Sequence, residues 1–237
     1  MLVLGIDTSS YANAIGVVDD GRVLADFVFE TRHESLSKIM LNVDGVLKKA
    51  NLGLEDIDGF GVGLGPGSWT GIRIGVTVGK IFAYCTGKPV KGISTLEVLA
   101  YGARDCHTLI CPIVDAGARE TIYAAFYRSG NDKVHQVGDY YVGDLPGLAE
   151  MIKEPVVLVA ADVPKYRNVI GRLLKPDTVA ALENAPGGAV VALLAAASLQ
   201  SGEQDDTLAM APMYLKESTA KAFVNKYLKR NQAAQQG

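Results

Sequence analysis

Apolar residues enter this chain first in short runs and then in helical stripes, and the succession comes round twice. Leu2 to Asp7 is an almost unbroken apolar run ending on a carboxylate, as expected of a strand buried on both faces. Asn13 to Val18 reads as a second strand, Asp19-Asp20-Gly21 as a tight turn, and Arg22 to Glu30 as a third strand of one meander. Leu36, Ile39, Met40, Val43, Val46 and Leu47 follow at i, i+3, i+4, i+7, i+10 and i+11, the period of an amphipathic helix, which Gly53 is expected to end. Phe60 to Leu64 predicts a strand that runs through a Gly-Pro-Gly turn into a helix capped by Ser68. Pro89 to Ile93 predicts a short strand. Ser94 and Glu97 stand at capping-box spacing for the helix that completes the first half near Arg104.

The second half repeats the order. Thr108 to Asp115, Thr121 to Arg128 and Lys133 to Val142 read as three strands, Leu145 to Lys153 as a helix, Pro155 to Ala160 as a buried strand, and a helix is expected from about Pro164. Pro186-Gly187-Gly188 opens an Ala-rich helix to about Gly202, and 211–216 is a last ordered segment. The repeat is one of pattern, without residue-level identity. It predicts an α/β chain of two like subdomains, 1–105 and 106–220, with 221–237 as a polar tail.

Gly71, Gly75 and Gly79 recur every four residues in one helix, and glycine there costs about 1 kcal/mol each against alanine. Two readings stand open on spacing alone: contact with a helix of another chain, or close packing on the subunit's own sheet. The chain has 237 residues and a formal charge of −3, which argues against a protein that grips nucleic acid unaided. Cys85, Cys106 and Cys111 have no metal-type spacing and read as reduced thiols. Met1 to Asp7 passes straight into a strand without a basic leader, and no apolar run reaches the ~20 residues of a membrane helix, so a cytoplasmic protein is expected.

Two turns offer chemistry. Asp7-Thr8-Ser9 follows the first strand, and Asp115-Ala116-Gly117 stands at the same point of the repeat. A carboxylate, hydroxyls and turn amides can hold a hydrated cation and phosphate oxygens, and two such turns across a cleft would describe a nucleotide site; good turn formers alone explain them as well. Pro186-Gly187-Gly188 offers either an approach to a flat ring or a plain helix start. Gly65-Pro66-Gly67-Ser68 lacks the Lys-Ser/Thr ending of a phosphate-binding P-loop. His33, His107 and His135 are never paired at i+3 or i+4, so no metal site is expected. Gly67-Ser68-Trp69-Thr70-Gly71 misses the spacing of a hydrolase nucleophile elbow.

Gly5-Ile6-Asp7-Thr8-Ser9, the block from Gly65 to Gly75, Ile93 to Leu96, Asp115-Ala116 and Pro212 to Lys216 together resemble the TsaB (YeaZ) family, in order and over most of the chain. The resemblance implies two actin-like subdomains of the ASKHA, ribonuclease H-like kind. It implies a bacterial cytoplasmic subunit, itself without catalytic residues, needed to put a threonylcarbamoyl group on the adenosine beside the anticodon in tRNAs reading codons that begin with A. Its implied partners are the TsaD transferase, which it binds and activates, and the ATPase TsaE; it forms a homodimer when alone and meets tRNA only indirectly. By the same resemblance the partner and dimer face is a pair of helices carrying Leu36, Ile39, Met40, Val43, Trp69, Ile72, Gly75, Val76 and Gly79, which moves the glycine stripe toward an interface. Asp7, Thr8, Ser9, Asp115 and Gly117 become a vestigial nucleotide site, with no cofactor beyond weak ATP or ADP binding in the complex. Trp69 stands where the family usually has phenylalanine, and Gly117 where an arginine is expected. The competing expectation is an ATP-dependent kinase of the same fold, or a peptidase of the glycoprotease type.

Overall fold

Side chains of β1 (Leu2–Asp7) point alternately to two buried faces, Leu4 and Ile6 to one and Val3 to the other, and that alternation sorts the first half into layers. The computed structural model describes residues 1–10, 12–30, 36–117, 120–130, 133–163, 166, 169 and 179–215. β1 pairs antiparallel with β2 (Ala12–Asp19), which pairs with β3 (Arg22–Glu30). β4 (Gly59–Gly65) lies parallel on the other side of β1, and β5 (Val90–Ser94) lies parallel beside β4. The order is β3-β2-β1-β4-β5.

The second sheet has the same plan. β6 (Leu109–Asp115), β7 (Ile122–Gly130) and β8 (Lys133–Gly143) form its meander, and β9 (Val156–Ala160) and β10 (Val179–Glu183) add to it in parallel. Its order, β10-β9-β6-β7-β8, is that of the first sheet. β10 is a strand the pattern did not predict: Val179-Ala180-Ala181-Leu182-Glu183 is short and rich in alanine, a weak strand former, and pairing with β9 decides it. The helix expected from Pro164 and the tail 221–237 lie outside the described residues.

Helices fill the layers in a crossed arrangement. α1 (Leu36–Lys49) and α2 (Trp69–Thr86) cover the outer face of the first sheet, where Ile39, Val43, Val46, Phe82 and Ala83 meet Leu4, Ile6, Phe60 and Val62. α1 stops before Gly53 because Asn51, at φ +56, takes the left-handed position after the helix. α3 (Thr95–Tyr101) comes from the first half, yet Leu96, Leu99 and Ala100 pack on Ile110, Tyr127 and Val159 of the second sheet. α5 (Gly188–Gln200) comes from the second half and packs on the first sheet. A cut near residue 105 would part each of these helices from the sheet it covers. α4 (Leu145–Met151) closes the far face of the second sheet through Leu148.

α5 approaches the first sheet at backbone distance. A Cβ on Gly5 would stand 2.2 Å from Gly188 O, and one on Gly16 would stand 2.2 Å from Ala189 N. Only glycine allows that contact, and the Ala-rich helix is the complementary half of it. No helix among the described residues is long and apolar enough to cross a membrane.

Where the halves meet, the buried Ser94 and Tyr127 hydroxyls lie beside each other, with the Tyr140 hydroxyl also beside Tyr127, but their mutual geometry falls short of a hydrogen bond. Ser94 is the residue before α3, but its side chain makes no cap, so the expected capping box is not formed. A buried hydroxyl that makes no bond contributes only its desolvation cost. Tyr127→Phe is therefore expected to leave thermal stability unchanged or raise it by up to ~1 kcal/mol, measured by thermal or urea unfolding; a loss above that would mean the hydroxyl is bonded.

Candidate functional site

The turn after β1 is closed by the chain itself. Asp7 is fully buried, and its Oδ1 accepts the Ser9 N–H at 2.7 Å and the Ser9 hydroxyl. Its Oδ2 accepts the Thr95 hydroxyl at 3.0 Å, tying the end of β1 to the first residue of α3. Thr8 is equally buried and its Oγ1 donates to Gly71 O at 2.6 Å, while Ser68 N–H donates to Ser9 O at 2.6 Å. Burial pushes the Asp7 carboxyl above the usual carboxylate range, against the pull of its donors from Ser9 and Thr95. Asp7, Thr8 and Ser9 thus come together as the sequence places them, with their polar groups engaged inside the subunit.

The glycine stripe explains how. A Cβ on Gly71 would stand 1.9 Å from Thr8 O, one on Gly75 2.4 Å from Thr8 Oγ1, and one on Gly79 2.2 Å from Val62 Cγ2. The bare side of α2 lies on the turn and on β4 of its own subunit, which corrects the expectation that Gly75 and Gly79 meet a neighbouring chain. Ser68 caps α2 as expected, accepting the Gly71 N–H at 3.2 Å. The second turn is open: Asp115 and Gly117 are exposed, Gly117 takes φ +74, and its N–H donates to Asp115 Oδ1 at 2.7 Å. The pair is thus unequal: the Asp7 side is buried, while Asp115 and Gly117 are exposed. Gly188, beside Pro186 and Gly187, lies against Gly16, and the Asp26 carboxylate accepts the Ala189 N–H at 3.0 Å, so this stretch starts a helix. Among the described residues no group of three or more His, Cys, Asp and Glu is placed to hold a metal ion.

The helix pair divides the expected docking residues. Ile39, Val43, Ile72 and Val76 are buried in the subunit core with Gly75 and Gly79, because the helical period that makes them a stripe aims them at the sheet. Met40 is 41% exposed and Trp69 45%. The side chain of Leu36 lies outside the described residues. Sequence reasoning missed Leu41, 71% exposed, and Ile81 and Tyr84, the latter 72% exposed. Their signal was available: Leu41 is apolar but out of phase with the core stripe of α1, and Tyr84 with that of α2. Trp69, Arg73, Thr77, Ile81 and Tyr84 mark the outward row of α2.

A strap formed by residues 205–214 runs beside that row. Asp205 N–H donates to Val90 O at 2.9 Å, and its carboxylate accepts the Gly92 N–H at 2.7 Å. The Lys80 ammonium donates to Leu208 O and Met210 O at 2.8 and 2.9 Å, and Met213 N–H to Leu64 O at 2.8 Å. Tyr214 stacks on Trp69 with ring centroids 4.3 Å apart and accepts from Arg73 Nε at 2.9 Å; the Arg73 guanidinium lies 4.3 Å over the Trp69 ring.

Asp7 gives a test of a sealed turn. Asp7→Ala is expected to destabilise by ~2–4 kcal/mol, because three donors lose their acceptor. Asp7→Asn keeps an acceptor and removes the buried charge, so it should cost under ~1 kcal/mol or stabilise. A carboxyl raised in the fold binds its proton more tightly folded than unfolded, so the wild type sheds stability as pH climbs above the ordinary value of 3.8. Asp7→Asn should flatten that decline in urea unfolding at several pH values; parallel profiles would show that Asp7 titrates normally.

Comparison with known proteins agrees with these features. The family model for TsaD, the tRNA N6-adenosine threonylcarbamoyltransferase, matches residues 29–234. The tRNA threonylcarbamoyladenosine biosynthesis protein TsaB of Bacillus subtilis is 30% identical over 94% of this chain and 97% of its own length. The solved structure of YeaZ from Pseudomonas aeruginosa superposes with a TM-score of 0.76 at 21% identity, over 90% of this chain and 99% of that one. A ROK hexokinase from Thermus thermophilus matches with a TM-score of 0.51 at 15% identity, over 84% of this chain and all of that one, which shows the shared actin-like fold alone. With the two matched sheets and crossed helices, these likenesses establish that the chain belongs to the TsaB (YeaZ) family of tRNA threonylcarbamoyladenosine biosynthesis proteins, relatives of TsaD.

Proposed function

We propose that this chain serves tRNA threonylcarbamoyladenosine biosynthesis as a non-catalytic subunit that binds and activates the TsaD transferase. The process is that of the TsaB relatives by name. One observation carries the scaffold role: the polar groups of Asp7, Thr8 and Ser9 are spent inside the subunit, while large apolar side chains stand outward on the two helices beside them. A turn whose carboxylate and hydroxyls are already bonded within the subunit is a poor cradle for phosphate, whereas Leu41, Met40, Ile81 and Tyr84 are what a protein partner would bury. The docking row is thus the outward side of α1 and α2, opposite the glycines. In this reading TsaE joins the assembly, the free chain pairs with itself through the same row, and the protein works in the cytoplasm.

Leu41→Glu combined with Tyr84→Glu tests the row. Both side chains are exposed, so folding stability should change by under ~1 kcal/mol. Co-elution with TsaD should fall at least tenfold in affinity, as expected when central apolar contacts are replaced by charge, and reconstituted tRNA modification should fall with it. Unchanged co-elution would reject the row. Turnover of magnesium-ATP by the purified chain alone would favour the kinase-like alternative.

A further inference from the structure

Arg73 stands on the outward row of α2 with its side chain held on two sides. Its Nε donates to the Tyr214 hydroxyl at 2.9 Å, and its guanidinium lies 4.3 Å over the Trp69 ring. Trp69 and Tyr214 are stacked in turn, so the three side chains fix one another. The strap places Tyr214: Met213 N–H is bonded to Leu64 O, Met210 is buried in the core of the first half, and the Lys80 ammonium clasps the carbonyls of Leu208 and Met210.

This hold uses only the Nε donor. Arg73 is exposed, and none of the ion pairs among the described residues includes it, whereas Lys48, Lys91 and Arg128 each face an acid of the same chain. Its terminal nitrogens therefore present a planar fork of N–H donors without an acceptor among the described residues. Such a fork pairs with a carboxylate or a phosphate through two parallel bonds. Because its direction is set beforehand, little side-chain freedom is lost on binding.

Its surroundings favour the carboxylate. The fork continues the outward row of Ile81 and Tyr84 and is flanked by two exposed aromatic rings; tryptophan, tyrosine and arginine are the residues that dominate the centres of protein contacts. A phosphate backbone is held by clustered cations, and the next cation of α2, Lys80, is spent on the carbonyls of the strap. We propose that Trp69, Arg73 and Tyr214 anchor the docking row, where the Arg73 fork takes an aspartate or glutamate carboxylate of TsaD and Tyr214 is the positioning residue that aims it. This rests on the reading of α1 and α2 as the row that meets TsaD.

The test follows binding of the full chain to TsaD by surface plasmon resonance across a salt series. Arg73→Gln removes charge and fork, Arg73→Lys keeps the charge alone, and Tyr214→Phe keeps the ring on Trp69 but releases Nε. All three sites are exposed, so the unfolding temperature should stay within a few degrees of the wild type. Arg73→Gln is expected to weaken affinity at least tenfold, mainly through faster dissociation, and to make affinity less sensitive to salt. Arg73→Lys should restore only a minor part of that loss, because an ammonium lacks the planar fork. Tyr214→Phe should cost about threefold, the worth of one hydrogen bond, and should cost nothing further in the Arg73→Gln background, where no fork is left to aim. Costs that simply add would overturn the aiming role, since Tyr214 would then serve the strap alone. Wild-type affinity and salt dependence in both Arg73 variants would overturn the anchor. In that case, loss of binding in the variant carrying Leu41→Glu and Tyr84→Glu would leave the row standing without it, and unchanged binding there would reject the row as well. Unchanged TsaD affinity with weaker tRNA retention by the assembled complex would give the fork to an RNA phosphate and overturn the carboxylate.

Discussion

One buried carboxylate holds the first half of the molecule in shape. Asp7 ends β1 in a place that water does not reach, and its two oxygens are met by the Ser9 amide and hydroxyl and by Thr95. A charge in that position is tolerable only with such donors, since an unpaired buried carboxylate would cost several kcal/mol. Thr95 is also where α3 starts, and α3 packs on the opposite sheet. The bond therefore reaches across the crossed helices and fixes the end of the first sheet against the second. The glycine side of α2 seals the remaining approach, because any side chain at Gly71 or Gly75 would occupy the space taken by Thr8. With the turn sealed, its carboxylate and hydroxyls face inward, while Trp69, Ile81 and Tyr84 stand exposed on the outward side of α2.

Most of the fold was legible in the sequence because its punctuation is sharp. Asp20 and Gly21 both take positive φ, and the turn between β2 and β3 falls where Asp19-Asp20-Gly21 places it. The apolar stripe of α1 gave the buried residues Ile39, Val43, Val46 and Leu47 directly. The first half of the glycine pattern was also readable, namely that one side of α2 is bare. What spacing cannot tell is which surface fills a bare side: residues every fourth position share a face whether the neighbour is another chain or Thr8 and Val62 of the same one. Spacing therefore leaves both readings open; the family resemblance points Gly75 and Gly79 to an interface, and the structure places them inside. β10 escaped for a different reason, since Val179 to Glu183 has little to distinguish it until β9 offers its edge.

The site was less legible than the fold because its key contacts are distant in sequence. Asp7 meets Thr95 across 88 residues, and Arg73 meets Tyr214 across 141. No local period encodes either. Exposed apolar residues were the readable exception, and the signal lay in phase: Leu41 and Tyr84 are apolar where their helices should be polar. Core stripes and docking stripes are written in the same residue types, so a pattern search that rewards apolar positions finds the core first. Departure from the stripe is the more informative mark of a surface built for a partner.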